Sequence, residues 1–130
     1  MWKVKAMLPI RIDAKKNKYS AIRVEGLWHG ELVMFDSVKE AKCAAELQLL
    51  EKAGEISDLY RQRPIEILVA RKDRKERPLI YIADFDWVVR VKGPTYGSWI
   101  VCDCKGMKTA VYQLKKRLLS QLLGIEIKEL

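Results

Sequence analysis

Trp99-Ile-Val-Cys-Asp-Cys-Lys-Gly106 is the stretch of sequence that decides the fold. It has the apolar character of a buried strand, yet it contains a carboxylate and an ammonium group. Strand alternation puts Asp103 and Lys105 on one face together with Val101, and the two cysteines on the other. Burying such charges costs free energy unless they bind a partner or a metal ion or lie in a solvated cleft. The stretch therefore predicts either an edge strand with a cross-strand ion pair or a strand that carries a functional site.

A second apolar stretch with acidic residues, Leu79–Arg90, precedes this strand and is predicted to be one strand. Alternation places Asp84 and Asp86 on one of its faces. The turn Lys92–Ser98 then sends the chain back antiparallel, so that Asp84 and Asp103 can lie side by side. Two carboxylates at that distance repel each other unless a cation lies between them or one of them holds a proton.

A helix is predicted from Ser37 to Gly54. Ser37-Val-Lys-Glu40 has the capping-box pattern, and a run of helix-favouring residues follows it. The carboxylate of Glu40 has two interpretations. It reaches back to the amide of the cap residue, or, because it borders the apolar stripe of the helix, it points towards a site on whatever the helix packs against.

A second amphipathic helix is predicted over Thr109–Leu123, with Gly124 at its end and Leu114, Leu118 and Leu122 on its inward face. Ile125–Leu130 alternates as a last strand, which a crossover would set parallel to the strand that begins at Trp99. The order of elements predicts an α/β (α+β) fold with a mixed central sheet flanked by helices. Nothing in the sequence indicates a second domain, so one domain is expected over residues 1–130.

The chain of 130 residues carries 25 basic and 17 acidic residues, a net charge of +8. Such a balance in a small domain points to a polyanion, most simply nucleic acid, and DNA is the expected partner. The alternative is a basic protein whose charges are only solvated. Five of the basic residues lie in the predicted hairpin loop Arg71–Pro78. The residues predicted to contact DNA are Arg71, Lys72, Arg74, Lys75, Arg77 and Lys108.

The composition argues against several classes of protein. No apolar run approaches the roughly 20 residues that cross a bilayer, so no membrane partner is expected. Three cysteines, an odd number, argue against a disulfide framework and for the reducing cytoplasm. The single histidine, His29, argues against zinc and against a Ser-His-Asp or Cys-His mechanism.

Two or three carboxylates near one another, with a lysine, suit Mg²⁺ or Mn²⁺. Mg²⁺ prefers oxygen ligands and keeps several waters, so Asp84 and Asp103, with Glu40 as a third acid, would hold it without a protein cage. A metal at this position polarises a phosphodiester oxygen and activates a water, and Lys105 orients that water or offsets the developing charge. The expected chemistry is phosphodiester hydrolysis.

Asp84 with Asp103-Cys-Lys105 is similar to the divergent PD-(D/E)XK nuclease signature, and the order of elements resembles its αβββαβ core. Further segments resemble a family of small phage and prophage proteins of this nuclease type, related to the TnsA transposon-end nuclease and to Holliday-junction resolvases. These segments run from Phe35 to the C-terminus and are Phe35-Asp-Ser-Val-Lys-Glu40, Gly54-Glu-Ile-Ser-Asp-Leu59, Gln62, Tyr81-Ile-Ala-Asp-Phe85 and Asp103-Cys-Lys-Gly106.

The resemblance implies a nuclease core over residues 35–130, preceded by an N-terminal extension with strands over residues 1–34. It implies four catalytic residues, of which the three acids are also the metal ligands, and a small supporting set. Ala83 stands where the name of the motif has proline, and Leu27–Val33 has no counterpart. The catalytic residues are Glu40, Asp84, Asp103 and Lys105, and the supporting residues are Gln62 and Lys115 or Lys116.

The expected function is therefore a metal-dependent endodeoxyribonuclease of phage type that acts on branched or duplex DNA, in the manner of a Holliday-junction resolvase. Junction resolvases work with paired active sites, so the resemblance also implies a homodimer, for which the sequence indicates no interface. Two alternatives stay open. One is a non-catalytic DNA-binding or recombination-accessory protein on the same fold, and the other is a structural phage protein in which Asp103 and Lys105 form an ion pair.

Overall fold

The computed structural model of the chain describes residues 11–16, 22–104 and 108–130, with side chains from residue 22 onward. Within these ranges the fold is mixed α+β, built mostly of strands, with two α-helices. The chain divides into two compact units, Met1–Ile56 and Ser57–Leu130. None of the helices in the described ranges combines the length and the apolar character that crossing a membrane requires.

The first unit contains a three-stranded antiparallel sheet and one helix. Strand β2 lies between β1 and β3, and helix α1 packs on β2 and β3. Its buried apolar side chains come from the middle strand, the end of β3 and one face of the helix. The elements are β1 (Arg11–Lys16), β2 (Ile22–Trp28), β3 (Glu31–Phe35) and α1 (Val38–Lys52).

Helix α1 confirms the predicted boundaries. The Ser37 hydroxyl accepts a hydrogen bond from the Glu40 amide at 3.0 Å, which satisfies one of the unpaired donors of the first turn. Ala53 caps the other end, and Gly54 follows with a φ of +78°, a conformation that favours glycine. The helix is therefore fixed by the two local signals that the sequence shows.

The second unit contains a four-stranded mixed sheet in the order β4-β7-β8-β9 and a separate antiparallel pair, β5 and β6. Strands β7 and β8 are antiparallel, whereas β8 and β9 are parallel, as predicted. Helix α2 connects the parallel pair, and its last turn is a π-helical turn, Leu119–Leu123, that ends at Gly124. The elements are β4 (Ile56–Arg61), β5 (Pro64–Leu68), β6 (Leu79–Ile82), β7 (Phe85–Val89), β8 (Trp99–Asp103), α2 (Ala110–Leu118) and β9 (Ile127–Glu129).

The single strand predicted over Leu79–Arg90 is wrong, because β6 and β7 are separated at Ala83 and Asp84. The facing strands, β4 and β5, are interrupted at the corresponding place. There Gln62 has a φ of +52°, and its amide donates to the Asp84 carbonyl at 3.0 Å. Both strands of the hairpin are therefore interrupted at the same place, and Asp84 lies at the bend.

The core of the second unit lies between its strands and α2, with Tyr112 and Leu119 as the buried residues of the helical segment. The predicted inward face of α2 is therefore wrong at two positions, since Leu114 is 58% and Leu122 is 55% exposed. Apolar residues cover more than half of the circumference of this helix, so spacing alone did not show which part of that wide arc meets the sheet. Two helical turns separate Tyr112 from Leu119, which puts both on the side that meets the sheet.

Candidate functional site

Asp84 lies on the bend of the β6–β7 segment and is half-buried. Its Oδ2 accepts a hydrogen bond from the Cys104 amide at 2.7 Å, at the carboxyl end of β8. Phe85 and Cys102 form the last pair of the antiparallel register, so Asp84 and Asp103 are the next residues outward on the two chain segments. The structure thus brings the two acids of the predicted pair to the same end of the β7–β8 pair.

Asp103 is the last residue of β8 and is fully buried. Its Oδ2 accepts a hydrogen bond from the hydroxyl of Tyr81, which is itself 4% exposed. Burial and the neighbouring Asp103 carboxylate raise the pKa of Tyr81 well above its ordinary value, so the phenol stays a hydrogen-bond donor. Sequence reasoning missed Tyr81, although a tyrosine in a buried strand signals a partner for its hydroxyl.

A second carboxylate network borders Asp103 on the other side. Glu129 is the cross-strand neighbour of Asp103 in the parallel β8–β9 pair. Its Oε2 accepts from the Tyr112 hydroxyl at 2.9 Å, and its Oε1 accepts from Lys116 Nζ at 2.7 Å. Lys108 Nζ lies 3.2 Å from Oε2. Lys116, then Tyr112 and Lys108, lower the pKa of Glu129 to about 2.

This network involves two of the predicted site residues, Lys116 and Lys108, because both meet the same carboxylate. The ring centroids of Tyr81 and Tyr112 are 6.1 Å apart, so the two tyrosines link the surroundings of Asp103 and Glu129. Sequence reasoning missed Tyr112 and Glu129. The parallel direction of β9 was predictable, but the register that sets Glu129 beside Asp103 carries no local signal.

Glu40 lies in the first unit, in the first turn of α1, and is 4% exposed. Its backbone amide donates to the Ser37 hydroxyl in the helix cap, whereas both interpretations of Glu40 concern its carboxylate. A buried glutamate is unusual for this residue type, which is rarely buried without a polar or ionic partner. The role of its carboxylate stays a prediction.

Three further residues were predicted to belong to the site. Lys105 lies outside the described residues. Gln62 is exposed at the bend, where its backbone, and not its amide side chain, bonds to Asp84. Lys115 is half-buried on α2.

The predicted DNA-contacting loop connects β5 and β6 and contains a short 3₁₀ turn, Lys72–Arg74. All five of its basic side chains are exposed. Arg71 Nη2 lies 3.5 Å from Asp73 Oδ2, an exposed ion pair of small energetic weight. The loop therefore presents its positive charges to solvent.

Asp86, on the same strand pair, is held differently. It is 2% exposed, and the Arg63 guanidinium binds it through Nη2 and, at 3.3 Å, through Nε. Trp99 Nε1 donates to its Oδ1 at 3.1 Å. This carboxylate is an ion-pair partner inside the fold, and neither Arg63 nor Trp99 was predicted to meet it.

The donor set at the bend suits a hard cation. Among the described residues, no group of three or more His, Cys, Asp or Glu side chains is arranged to hold a metal ion. Mg²⁺, however, is often bound through one or two carboxylates, with waters and substrate phosphates completing its shell. Asp84 and Asp103 are two such carboxylates. Asp84 and Asp103 are thus the residues that would hold Mg²⁺ or Mn²⁺.

Comparison with known proteins places the chain in one family. The family described as "Protein of unknown function (DUF1064)" matches residues 16–126, most of the chain. No curated protein and no solved structure matches.

Proposed function

Since the chain belongs to the DUF1064 family, whose function is unknown, we propose from its own residues that it is a metal-dependent endonuclease that hydrolyses phosphodiester bonds in DNA. The observation that carries this proposal is the pair of acids at the bend. Asp84 is fixed by the Cys104 amide, and both it and Asp103 adjoin the last pair of the β7–β8 register. Two carboxylates close together supply oxygen ligands of the kind that Mg²⁺ prefers, and waters and a substrate phosphate would complete its shell.

Each residue near the bend has a distinct task in this proposal. The Cys104 amide orients the Asp84 carboxylate, and the remaining lone pairs of that carboxylate are available to a cation. The Tyr81 hydroxyl fixes one oxygen of Asp103. A bound cation would supply an activated water and offset the charge that develops on the phosphate. Lys105, predicted to orient the water, follows two residues after Asp103.

The fold and the charge support the same proposal. An antiparallel strand pair, a helix and a parallel strand follow one another in the second unit, which is the order that the resemblance to PD-(D/E)XK nucleases implies. The exposed basic loop Arg71–Pro78 and the net charge of +8 favour a polyanionic substrate. Branched DNA, a homodimer and Glu40 as a third acid stay predictions that rest on the resemblance.

A second candidate is a DNA-binding or recombination-accessory protein without catalysis. The observation that favours it is the full burial of Asp103 beneath Tyr81. A carboxylate in that position also has a structural use, since it satisfies a buried phenol hydroxyl. On this reading DNA would bind through the basic loop, and no metal-dependent product would form.

Cleavage of labelled four-way-junction, duplex and single-stranded DNA with Mg²⁺, Mn²⁺ or a chelator tests the proposal. The variants are Asp84→Asn and Asp103→Asn, because an amide keeps the shape and one acceptor oxygen. We expect metal-dependent products from the wild type and a loss of at least about a hundredfold in both variants. Glu66→Gln, an exposed acid in β5, is the matched control and should cut like the wild type.

Two results would contradict the proposal. Cleavage that persists undiminished in both asparagine variants would show that the acids at the bend do not act in catalysis. Binding of the junction without any metal-dependent product would favour the accessory protein. Circular dichroism and a thermal melt of each variant separate loss of activity from loss of fold.

A further inference from the structure

Three flat side chains, Tyr60, Arg63 and Trp99, form a cluster on the second unit that we call the stacking platform. The Arg63 guanidinium carbon lies 4.1 Å from the Tyr60 ring centroid and 6.0 Å from that of Trp99. All three remain open to solvent, since Tyr60 is 44% and Trp99 42% exposed, and the Arg63 side chain is 43% exposed. Large aromatic groups left this exposed are a frequent mark of a binding surface.

Asp86 orients the platform through hydrogen bonds. This buried carboxylate binds the guanidinium in a forked manner and also accepts the indole N–H of Trp99 at 3.1 Å. Two of the three flat groups are thus fixed in orientation by one anchor, and the third stacks on the guanidinium. A ligand that lies on these groups loses little free energy to ordering them, since they are already ordered.

The chemistry of the platform suits a nucleobase. Bases stack on tyrosine, tryptophan and guanidinium planes whatever their sequence, because every base has a π-face. The charge of Arg63 is matched by Asp86, so the platform offers flat surfaces more than net charge. Inside a duplex the base faces are covered by their neighbours, and only unpaired nucleotides present them.

The platform adjoins the proposed catalytic site along the chain. Arg63 directly follows Gln62, whose amide bonds to the Asp84 carbonyl. Trp99 begins β8, the strand that Asp103 ends. A strand of DNA whose phosphate lay at the bend could therefore place a neighbouring base on the platform.

From these observations we infer that Tyr60, Arg63 and Trp99 bind unpaired nucleotides by stacking, and that the substrate class is DNA with a single-stranded region or branch. This inference rests on the proposed function for its substrate, whereas the binding itself needs neither metal nor cleavage. It adds a base-contacting site to the exposed basic loop, which contacts DNA only through charge.

The test is binding of labelled oligothymidylate and of blunt duplex DNA in the presence of a chelator, over a range of salt concentrations. We expect Tyr60→Ala and Trp99→Ala each to weaken oligothymidylate binding about tenfold, the effect of losing one stacked base. The dependence on salt should stay unchanged, because no phosphate contact is removed. Duplex binding should stay within a factor of two of the wild type, roughly the precision of such a measurement.

Tyr96→Ala is the matched control. Tyr96 is 55% exposed, and its ring centroid lies 5.9 Å from the guanidinium carbon of Arg90, but it is outside the platform. Its removal should leave oligothymidylate binding unchanged. Trp99→Phe keeps a ring at the platform and should bind nearly as the wild type does, which guards against a variant that merely unfolds.

Other outcomes overturn the inference. Equal binding by the wild type and both alanine variants would show that the rings do not contact DNA. An equal loss for duplex and oligothymidylate would point to a general change in charge or fold, and binding of neither DNA would leave the platform to a protein partner. Because the binding test contains chelator, its result does not depend on cleavage. A protein that binds oligothymidylate but cleaves no DNA would contradict the proposed nuclease function and support the platform. A protein that cleaves DNA, with alanine variants that bind like the wild type, would support the nuclease function and contradict the platform.

Discussion

Two groups of acids lie on the same pair of strands, and their surroundings differ. Asp86 is buried against a guanidinium and an indole N–H. Asp84, which precedes Phe85, accepts a hydrogen bond from a backbone amide. Asp103, at the end of β8, accepts one from a tyrosine hydroxyl. The first acid is bound by a full positive charge, whereas the donors described for the other two are neutral.

The difference shows how one hairpin separates a structural carboxylate from candidate catalytic ones. A guanidinium that binds in a forked manner uses both oxygens of its partner and offsets its charge. A neutral donor fixes the direction of a carboxylate but leaves its charge and further lone pairs in place. Residue type and strand position therefore do not distinguish these acids, whereas the donors that they meet do.

The largest effect on stability is expected at Asp86. Asp86→Ala should lower the free energy of unfolding by about 3 kcal/mol, because the guanidinium of Arg63 loses the buried partner that compensates it. The side chain of Arg63 is 43% exposed and can regain water, which keeps the loss at the lower end of what buried pairs cost. Urea unfolding monitored by fluorescence measures it.

Asp84→Ala provides the contrast on the same strands. It removes one hydrogen bond from a half-buried acid and should cost about 1 kcal/mol, yet it should abolish cleavage. Asp86→Ala should keep the maximal rate of cleavage per folded molecule at saturating DNA, because Asp86 orients the stacking platform and does not belong to the pair of acids at the bend. If Asp86→Ala were as stable as the wild type, or if the two variants lost activity alike, the distinction between the two kinds of acid would fail.

The next effect concerns the phenol over Asp103. Tyr81→Phe removes the donor to a fully buried carboxylate and should lower the free energy of unfolding by about 2 kcal/mol, as for hydrogen bonds to charged groups. Because Asp103 also loses its fixed direction, the concentration of Mg²⁺ needed for half-maximal cleavage should change. Denaturant unfolding and a metal titration measure the two effects.

Tyr112→Phe is the matched control for this prediction. It also removes a buried hydroxyl, but its acceptor, Glu129, keeps two lysines and contact with solvent. We expect the free energy of unfolding to fall by about 1 kcal/mol and the metal dependence of cleavage to stay unchanged. An unchanged metal dependence in Tyr81→Phe as well would argue that the phenol has only a structural role.

The parts of the fold that local signals determine were predictable. Ser37 and Gly54 bound α1, and Thr109 and Gly124 bound α2 with its π-helical turn, because capping and left-handed residues act within a few positions. The antiparallel return through Lys92–Ser98 and the parallel last strand followed from turn residues and the order of elements.

The parts that depend on distant contacts were not predictable. The break at Ala83 and Asp84 lies opposite the left-handed Gln62 between β4 and β5, which alternation within one strand does not reveal. The face of α2 was mistaken because its leucines spread over about half of the circumference, and only part of that arc meets the sheet. For the candidate site, the sequence indicated Asp84 and Asp103, whereas Tyr81, Glu129 and the Asp86–Arg63 pair depend on register and bending.

The smallest effect belongs to a third kind of acid, one that meets cations at the surface. The pKa of Glu129 is lowered from 4.5 to about 2, so its ionised form is favoured in the folded state. Its contribution to stability is therefore present above pH 4.5 and is lost as the pH falls towards 2. The melting temperature of Glu129→Gln should lie slightly below that of the wild type at neutral pH and converge with it near pH 2. Glu66→Gln, an exposed acid outside this network, should show no such convergence. A difference for Glu129→Gln that persists unchanged to pH 2 would mean that packing, and not charge, joins Glu129 to Lys116 and Tyr112, and the contrast between charged and neutral partners would then not extend to the surface.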